Sequence, residues 1–195
     1  QDLTAIVGLN DMIAFGILDA LYDEKGEKTA DLADGLTVDG CEKAAAFVAF
    51  CNDCEIPLLT VTAADGFAAV EQTEKGLPQA IAKLVKAYHD GGFNSKVNLI
   101  MGDTYGSAYV AMGARSISDA DMVFAWDDAK VGMMEAEKAA NILFAAEGEK
   151  ATEKQAAAYE GKQNAVTSAA ARGSVDAVIA PAQTRKHLIM AFSML

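Results

Sequence analysis

VNLIMGDTYGSAYVAMG, the stretch from Val97 to Gly113, decides the reading of the fold. An apolar run, Val97–Met101, ends at Gly102, a short loop passes Tyr105-Gly106, and the small residues Ser107 and Ala108 open a helix that runs to Gly113. A buried strand followed at once by a tight turn and a helix is the working unit of an α/β protein. Small side chains let a ligand approach the backbone, and a helix N-terminus presents unpaired N–H groups along a favourable dipole. Donors fixed in this way form an oxyanion hole for an enolate or a tetrahedral oxygen. Gly and Ser also serve tight strand-to-helix packing alone, and on these residues by themselves both readings stand.

Outward from this unit the strand–helix cycle repeats. Upstream, Cys41–Cys54 carries Ala45, Phe47, Val48 and Cys51 at helical spacing, and Pro57 closes it. Leu58–Thr62 reads as a buried strand, Ala64-Asp65-Gly66-Phe67 as a turn, and Leu77–Tyr88 as a helix ended by Gly91-Gly92. Leu3–Gly8 and Met12–Leu18 flank Asn10-Asp11 and predict a β-hairpin, with a loop over Asp23–Gly40. Downstream, Met122–Ala125 and Val131–Met133 predict paired strands around Asp127-Asp128. Helices are expected over Glu135–Glu147 and, unbroken and Ala-rich, over Thr152–Arg172. Val175–Ile179 is a last strand, and Pro181 starts a terminal helix reaching Met194. With no fixed-period repeat and no Pro- or Ser-rich linker, one domain is expected over 1–195.

Composition narrows the function. Sixteen Lys and Arg against 28 Asp and Glu give a net charge of −12 over 195 residues, and no basic run offsets it. Such a surface repels phosphate backbones, so nucleic-acid binding is disfavoured. No apolar stretch approaches the roughly 18 residues of a membrane span, and Gln1-Asp2-Leu3 lacks the pattern of a signal peptide. Three cysteines suit a reducing, cytoplasmic setting. Because it opens on Gln rather than Met, the chain is expected to be a piece of something longer. Roughly a fifth of the residues are Ala, which favours closely packed helices. With eight Met, that content is consistent with apolar surface facing a partner chain.

Other candidate chemistry reads more simply as structure. Cys51-Asn52-Asp53-Cys54 lies at the C-terminal end of its helix, where the dipole does not lower a thiol pKa, and no second pair completes a zinc site. Cys41 is a small buried side chain, and His89 and His187 read as surface or capping groups. Asp127-Asp128, with Asp119 and Asp121 near, reads as a hairpin tip rather than a hard-cation site, and no metal is expected.

Tyr105-Gly106-Ser107-Ala108-Tyr109-Val110-Ala111-Met112-Gly113 resembles the Y/F-G-G-A-Y-x-x-M-G segment of biotin-dependent acyl-CoA carboxyltransferases. Four further blocks follow that family in order. Glu42–Cys51 with Glu55–Thr60 resembles its KAARFIRFC…IPL(L/V)T, and Asp119–Trp126 its G-A-D-x-x-x-A-W. Val131-Gly132-Met133-Met134 resembles its I-G-V-M, and Thr184-Arg185 with Leu188-Ile189 its T-R-x-x-L-I. The resemblance runs from about Leu36 to the C-terminus.

The resemblance implies a crotonase-like ββα superhelix and places the chain as the second, biotin-side domain of two, a fragment of a two-domain protein. It implies CO2 transfer between carboxybiotin on a separate carrier protein and an acyl-CoA, since no biotinyl-lysine motif A-M-K-M occurs here. By the same resemblance, backbone N–H groups at Ser107 and Ala108 hold the ureido oxygen of the biotin enolate, and Gly106 permits its approach. Tyr109 and Val110 line the acyl and biotin pocket, with Tyr105, Gly66 and Phe67 as further substrate contacts. The family's shared active site implies a homo-oligomer, a dimer or a trimer of dimers.

Departures point to a divergent subgroup. Of the family's D-V-P-G-F-x-P-G loop only Gly66-Phe67 survives in Ala63–Val70. Its M-G-A-E-G-A is Met134-Glu135-Ala136-Glu137-Lys138-Ala139, with both glycines replaced by charged residues, and its R-H-G-A-K-L is Gln79–Leu84. Two other classes are weighed. A non-catalytic assembly domain is one, and the other is a crotonase-fold serine hydrolase, which needs His89 or His187 beside Ser107.

Overall fold

The computed structural model describes residues 6–7, 36–67, 71–90, 94–144 and 152–195. Its centre is a five-stranded parallel sheet of β1 (Ile6–Val7), β2 (Leu58–Thr62), β3 (Lys96–Ile100), β5 (Met122–Trp126) and β7 (Ala177–Ile179), in the order β1-β2-β3-β5-β7. Residue pairs such as Leu59↔Val97 and Leu99↔Phe124 set the register. A second parallel pair, β4 (Thr104–Tyr105) with β6 (Val131–Gly132), stands apart from it.

Both faces of the large sheet are covered, so its strands read as continuous apolar runs rather than alternating ones. On one face Leu58 packs with Cys41, Val48 and Cys51 of α1 (Val38–Asp53) and with Leu84 and Tyr88 of α2 (Glu71–Asp90). The other face carries Leu59, Val97, Leu99 and Phe124, against Ala191 and Phe192 of α8 (Thr184–Met194). Burying residues of this size stabilises by roughly 1.5–3 kcal/mol each. Asn98 is a buried polar exception with its amide satisfied: its Oδ1 accepts from Thr62 Oγ1 at 3.0 Å, and its Nδ2 donates to Gly113 O at 2.9 Å. It thereby ties the sheet to the end of α3 (Gly106–Ala111), the short helix that follows β4.

Several boundaries differ from the sequence expectation, each for a local reason. The Thr37 side chain accepts from Gly40 N at 3.1 Å, so α1 starts at Val38 and takes residues 38–40 out of the expected loop. α2 starts at Glu71 and contains Pro78; a side chain on Gly76 would come within 3.3 Å of Val38, so glycine here serves close helix packing rather than a break. The hairpin expected around Asp127-Asp128 does not form. β5 pairs in parallel with β3 and β7, while β6 crosses to β4. The unbroken helix over Thr152–Arg172 is instead α6 (Glu153–Tyr159), a π-helical turn (Glu160–Asn164), an extended Ala165, and α7 (Val166–Ala171). The expected helix over Glu135–Glu147 is α5 (Ala136–Leu143) within the described residues, and α4 (Arg115–Ser118) is a single turn. Of the expected N-terminal hairpin only Ile6–Val7 is described, in parallel register with Leu59–Thr60, and Met12–Leu18 lies outside the described residues.

Candidate active site

In parallel α/β sheets, loops at the carboxyl ends of adjacent strands form the natural crevice. Here the loops after β2 and β3 do so, and direct bonds tie them together. Tyr105 N donates to Ala64 O at 2.8 Å, Leu36 N to Gly66 O at 3.1 Å, and Thr104 N to Lys130 O at 2.8 Å. Between them opens a cleft of about 560 Å³. Gly66, Phe67, Tyr105, Gly106, Ser107 and Ala108 line it together, six of the eight residues singled out from sequence. Tyr109 and Val110 do not line it: Tyr109 packs against the apolar cluster of Ile100, Val123 and Val131, and Val110 is partly exposed elsewhere on α3.

α3 begins at the cleft. Its first N–H groups have no intrahelical acceptor, and Tyr105 at its N-cap supplies no side-chain bond to them. Ser107 is exposed and Ala108 buried, so the donors sit where solvent space meets the protein wall. Gly106 has a role other than the expected one. Its φ is +57°, and a side chain there would come within 2.9 Å of Met133 O. Glycine is thus required by the turn and by the close approach of Met133 O, whatever else it admits. Gly66 is different, since nothing lies within 4 Å of where its side chain would be.

The remaining wall is charged. Asp65, Asp103, Glu135, Glu137 and Glu160 face Lys130 and Lys138. Lys130 Nζ meets Glu160 Oε2 at 3.3 Å, and that bond holds its ammonium above the ordinary lysine value. Lys138 pairs with Glu135 at 2.9 Å, and this bond pushes its pKa up in the same direction. The two charged replacements for family glycines therefore largely satisfy each other. Tyr105 OH lies 3.3 Å from Asp103 Oδ2; burial first, and then the Asp103 charge, push the phenol far above its ordinary value. It stays protonated and donates to Asp103, so it serves as a wall and not as a base.

Neither histidine meets Ser107. His187 Nδ1 lies 3.0 Å from Gln183 O with its ring edge-on to Phe124, and His89 Nδ1 lies 3.7 Å from Asp119. Cys41 and Cys51 are buried with thiols raised to about 11 by desolvation, and Cys54 is exposed. Sequence reasoning missed Asp103, Lys130, Glu160 and the buried Asn164. Asn164 sits in an Ala-rich helical run that gives no sign of its packing. Among the described residues no group of three metal-ligating side chains converges, and no helix is long and apolar enough to cross a membrane.

Parallel sheets with a cleft at their strand ends place the chain in the crotonase-like α/β class. The carboxyl transferase domain family matches residues 26–195, and the chain belongs to it. It is 41% identical over 171 residues to the putative propionyl-CoA carboxylase beta chain of Bacillus subtilis, covering 84% of this chain and 33% of that protein. It is 36% identical over 171 residues to the methylmalonyl-CoA decarboxylase subunit alpha of Propionigenium modestum, covering 84% and 33%. Among solved structures, the transcarboxylase 12S hexamer with methylmalonyl-coenzyme A and methylmalonic acid bound matches with a TM-score of 0.76 and 36% identity. That match covers 82% of this chain and 31% of the other. The chain thus spans about a third of the length of the relatives it matches.

Proposed function

We infer that this chain is the biotin-side domain of a two-domain, cytoplasmic acyl-CoA carboxyltransferase that works as a homo-oligomer with a separate biotin carrier protein. The observation that carries this reading is the cleft itself: unpaired N–H groups at Ser107 and Ala108, at the carboxyl ends of β2 and β3, beside open space at Gly66. A flat ureido ring matches such a cleft, because it presents one carbonyl oxygen to two donors and needs no side-chain nucleophile. Carboxybiotin, when bound, supplies CO2 and leaves negative charge on that oxygen. Ser107 and Ala108 N–H groups stabilise this charge, and preorganised donors of that kind are each worth about 10²–10³ in rate. Phe67 and Tyr105 exclude water from the ring, and Asp103 keeps the Tyr105 hydroxyl turned to itself. The Lys130–Glu160 and Lys138–Glu135 pairs leave no free cation among the lining lysines, so the charge on the ureido oxygen falls to the backbone donors.

The acyl-CoA half of the site belongs, on this reading, to the other domain. The test is carboxyl transfer by the full-length protein from a carboxylated carrier to a panel of acyl-CoA esters. Transfer to one ester class is expected. A full-length protein that folds, assembles and transfers to none would contradict the reading.

A further inference from the structure

We propose that Asn164 is a positioning residue for the oxyanion donors, acting through the segment 132–134 at the end of β6; this rests on the functional reading above. Asn164 is fully buried, yet its Oδ1 has no hydrogen-bond partner. Its Nδ2 donates to Met134 O at 2.9 Å. The unpaired Oδ1 is pressed against Gly132, where an added side chain would lie only 2.0 Å from it. Gly132 pairs in register with Tyr105, and the intervening residue, Met133, sets its carbonyl against Gly106.

The segment 132–134 is thus clamped between one carboxamide and the turn that opens α3. A buried unpaired acceptor is costly to keep, and an alanine here would avoid that cost. The Nδ2 bond to Met134 O and the absence of any side chain at position 132 are what the carboxamide gains in return. The π-helical turn Glu160–Asn164 sets the same residue. It ends at Asn164, and extended Ala165 bridges back to Lys130, whose carbonyl takes Thr104 N. π-Turns are frequent at functional sites. A shift of the segment would move Gly106 and with it the N–H groups of Ser107 and Ala108, and an error near 1 Å in such a site can cost about 10²-fold.

The experiment is a double-mutant cycle in the full-length protein with its biotinylated carrier. Asn164→Ala and Gly132→Ala are each expected to lower kcat about 10- to 100-fold, with KM for the acyl-CoA unchanged. In the double variant the alanine at 132 enters space the carboxamide has left, so its loss should be no greater than the worse single variant's. Hydrogen exchange supplies a second readout that does not need activity: amides of 104–109 should exchange faster in Asn164→Ala, while those of β3 should not. A wild-type enzyme without transfer but with this exchange change would break the functional reading and leave the positioning role standing. An active wild type with unchanged kcat and exchange in Asn164→Ala overturns the positioning role. So do additive losses in the cycle, or variants that cannot be recovered folded, since Asn164 would then serve the fold as a whole.

Discussion

The five-stranded sheet and the two-stranded sheet beside it are both parallel, but they are held in opposite ways. β3 buries all five of its residues, with Lys96 and Asn98 as hydrogen-bonded exceptions to its apolar run. Apolar side chains of the sheet pack against α1 and α2 on one face and α8 on the other. β4 and β6 have two residues each, and what places them is directional: Thr104 N on Lys130 O, Tyr105 N on Ala64 O, Asn164 Nδ2 on Met134 O. The first is a large non-directional core in which each residue contributes a modest share. The second is two residues long in each strand and has Val131 alone in an apolar cluster, so the candidate donors depend more on these few bonds. Stability and catalysis should therefore respond to different substitutions.

The largest effect is expected at the joint between the two. Gly106→Val must place a β-branched residue at φ +57° and within 2.9 Å of Met133 O. Transfer should fall by at least the 10²–10³-fold of a lost donor, roughly. Because the turn itself is strained, the thermal midpoint should fall too, measured by circular dichroism. A fully active Gly106→Val enzyme would mean that the two-stranded sheet does not set the site.

Next comes the core. Leu84 is fully buried between α2, α1 and the sheet, and Leu84→Ala should cost about 2–5 kcal/mol in denaturant unfolding. At a temperature where the variant remains folded, its kcat should match wild type. A kcat loss without a stability loss would erase the distinction between the regions.

A smaller effect is set by pH and, in the thiol range, falls on the core. Burial raises the Cys41 and Cys51 thiols to about 11 and the Tyr88 phenol to about 12. Folded-state values above the unfolded ones give stability that is complete at neutral pH. It is lost as pH rises from the ordinary thiol value near 9 through 11. Unfolding midpoints should fall across that window, and the fall should be shallower in Cys41→Ala/Cys51→Ala. A thiol reagent at pH 8 should titrate Cys54 and leave the other two protected.

The same contrast explains what could be read from sequence. β2 and β3 were legible within a residue because strands buried on both faces are continuous apolar runs, and Val97–Gly113 shows strand, turn and helix in order. The Asp127-Asp128 turn is real, but turn chemistry cannot tell a hairpin from a crossover when the partners, β3 and β4, lie far along the chain. Ala-rich propensity hid the break at Ala165, which depends on one carboxamide finding Met134 and Gly132. Six of the eight candidate residues converge because they sit on two loops at neighbouring strand ends. Tyr109 and Val110, the next two residues of α3, lie on other faces of the helix: Tyr109 packs into the apolar cluster of Ile100 and Val123, and Val110 is exposed.

The central claim is that backbone N–H groups at the start of α3 carry the chemistry, and Ser107→Pro tests it most directly. Proline is tolerated in the first turn of a helix, where its missing N–H has no intrahelical acceptor to lose, so the fold should hold while one donor disappears. Ser107→Ala is the companion, because it removes the hydroxyl and keeps the donor. In the full-length enzyme, Ser107→Pro should lower kcat for carboxyl transfer by about 10²–10³-fold, with Ser107→Ala close to wild type. A fully active Ser107→Pro would contradict the donor role, and equal loss of activity in both variants, with a parent that reacts with a fluorophosphonate, would replace the oxyanion hole with a serine nucleophile.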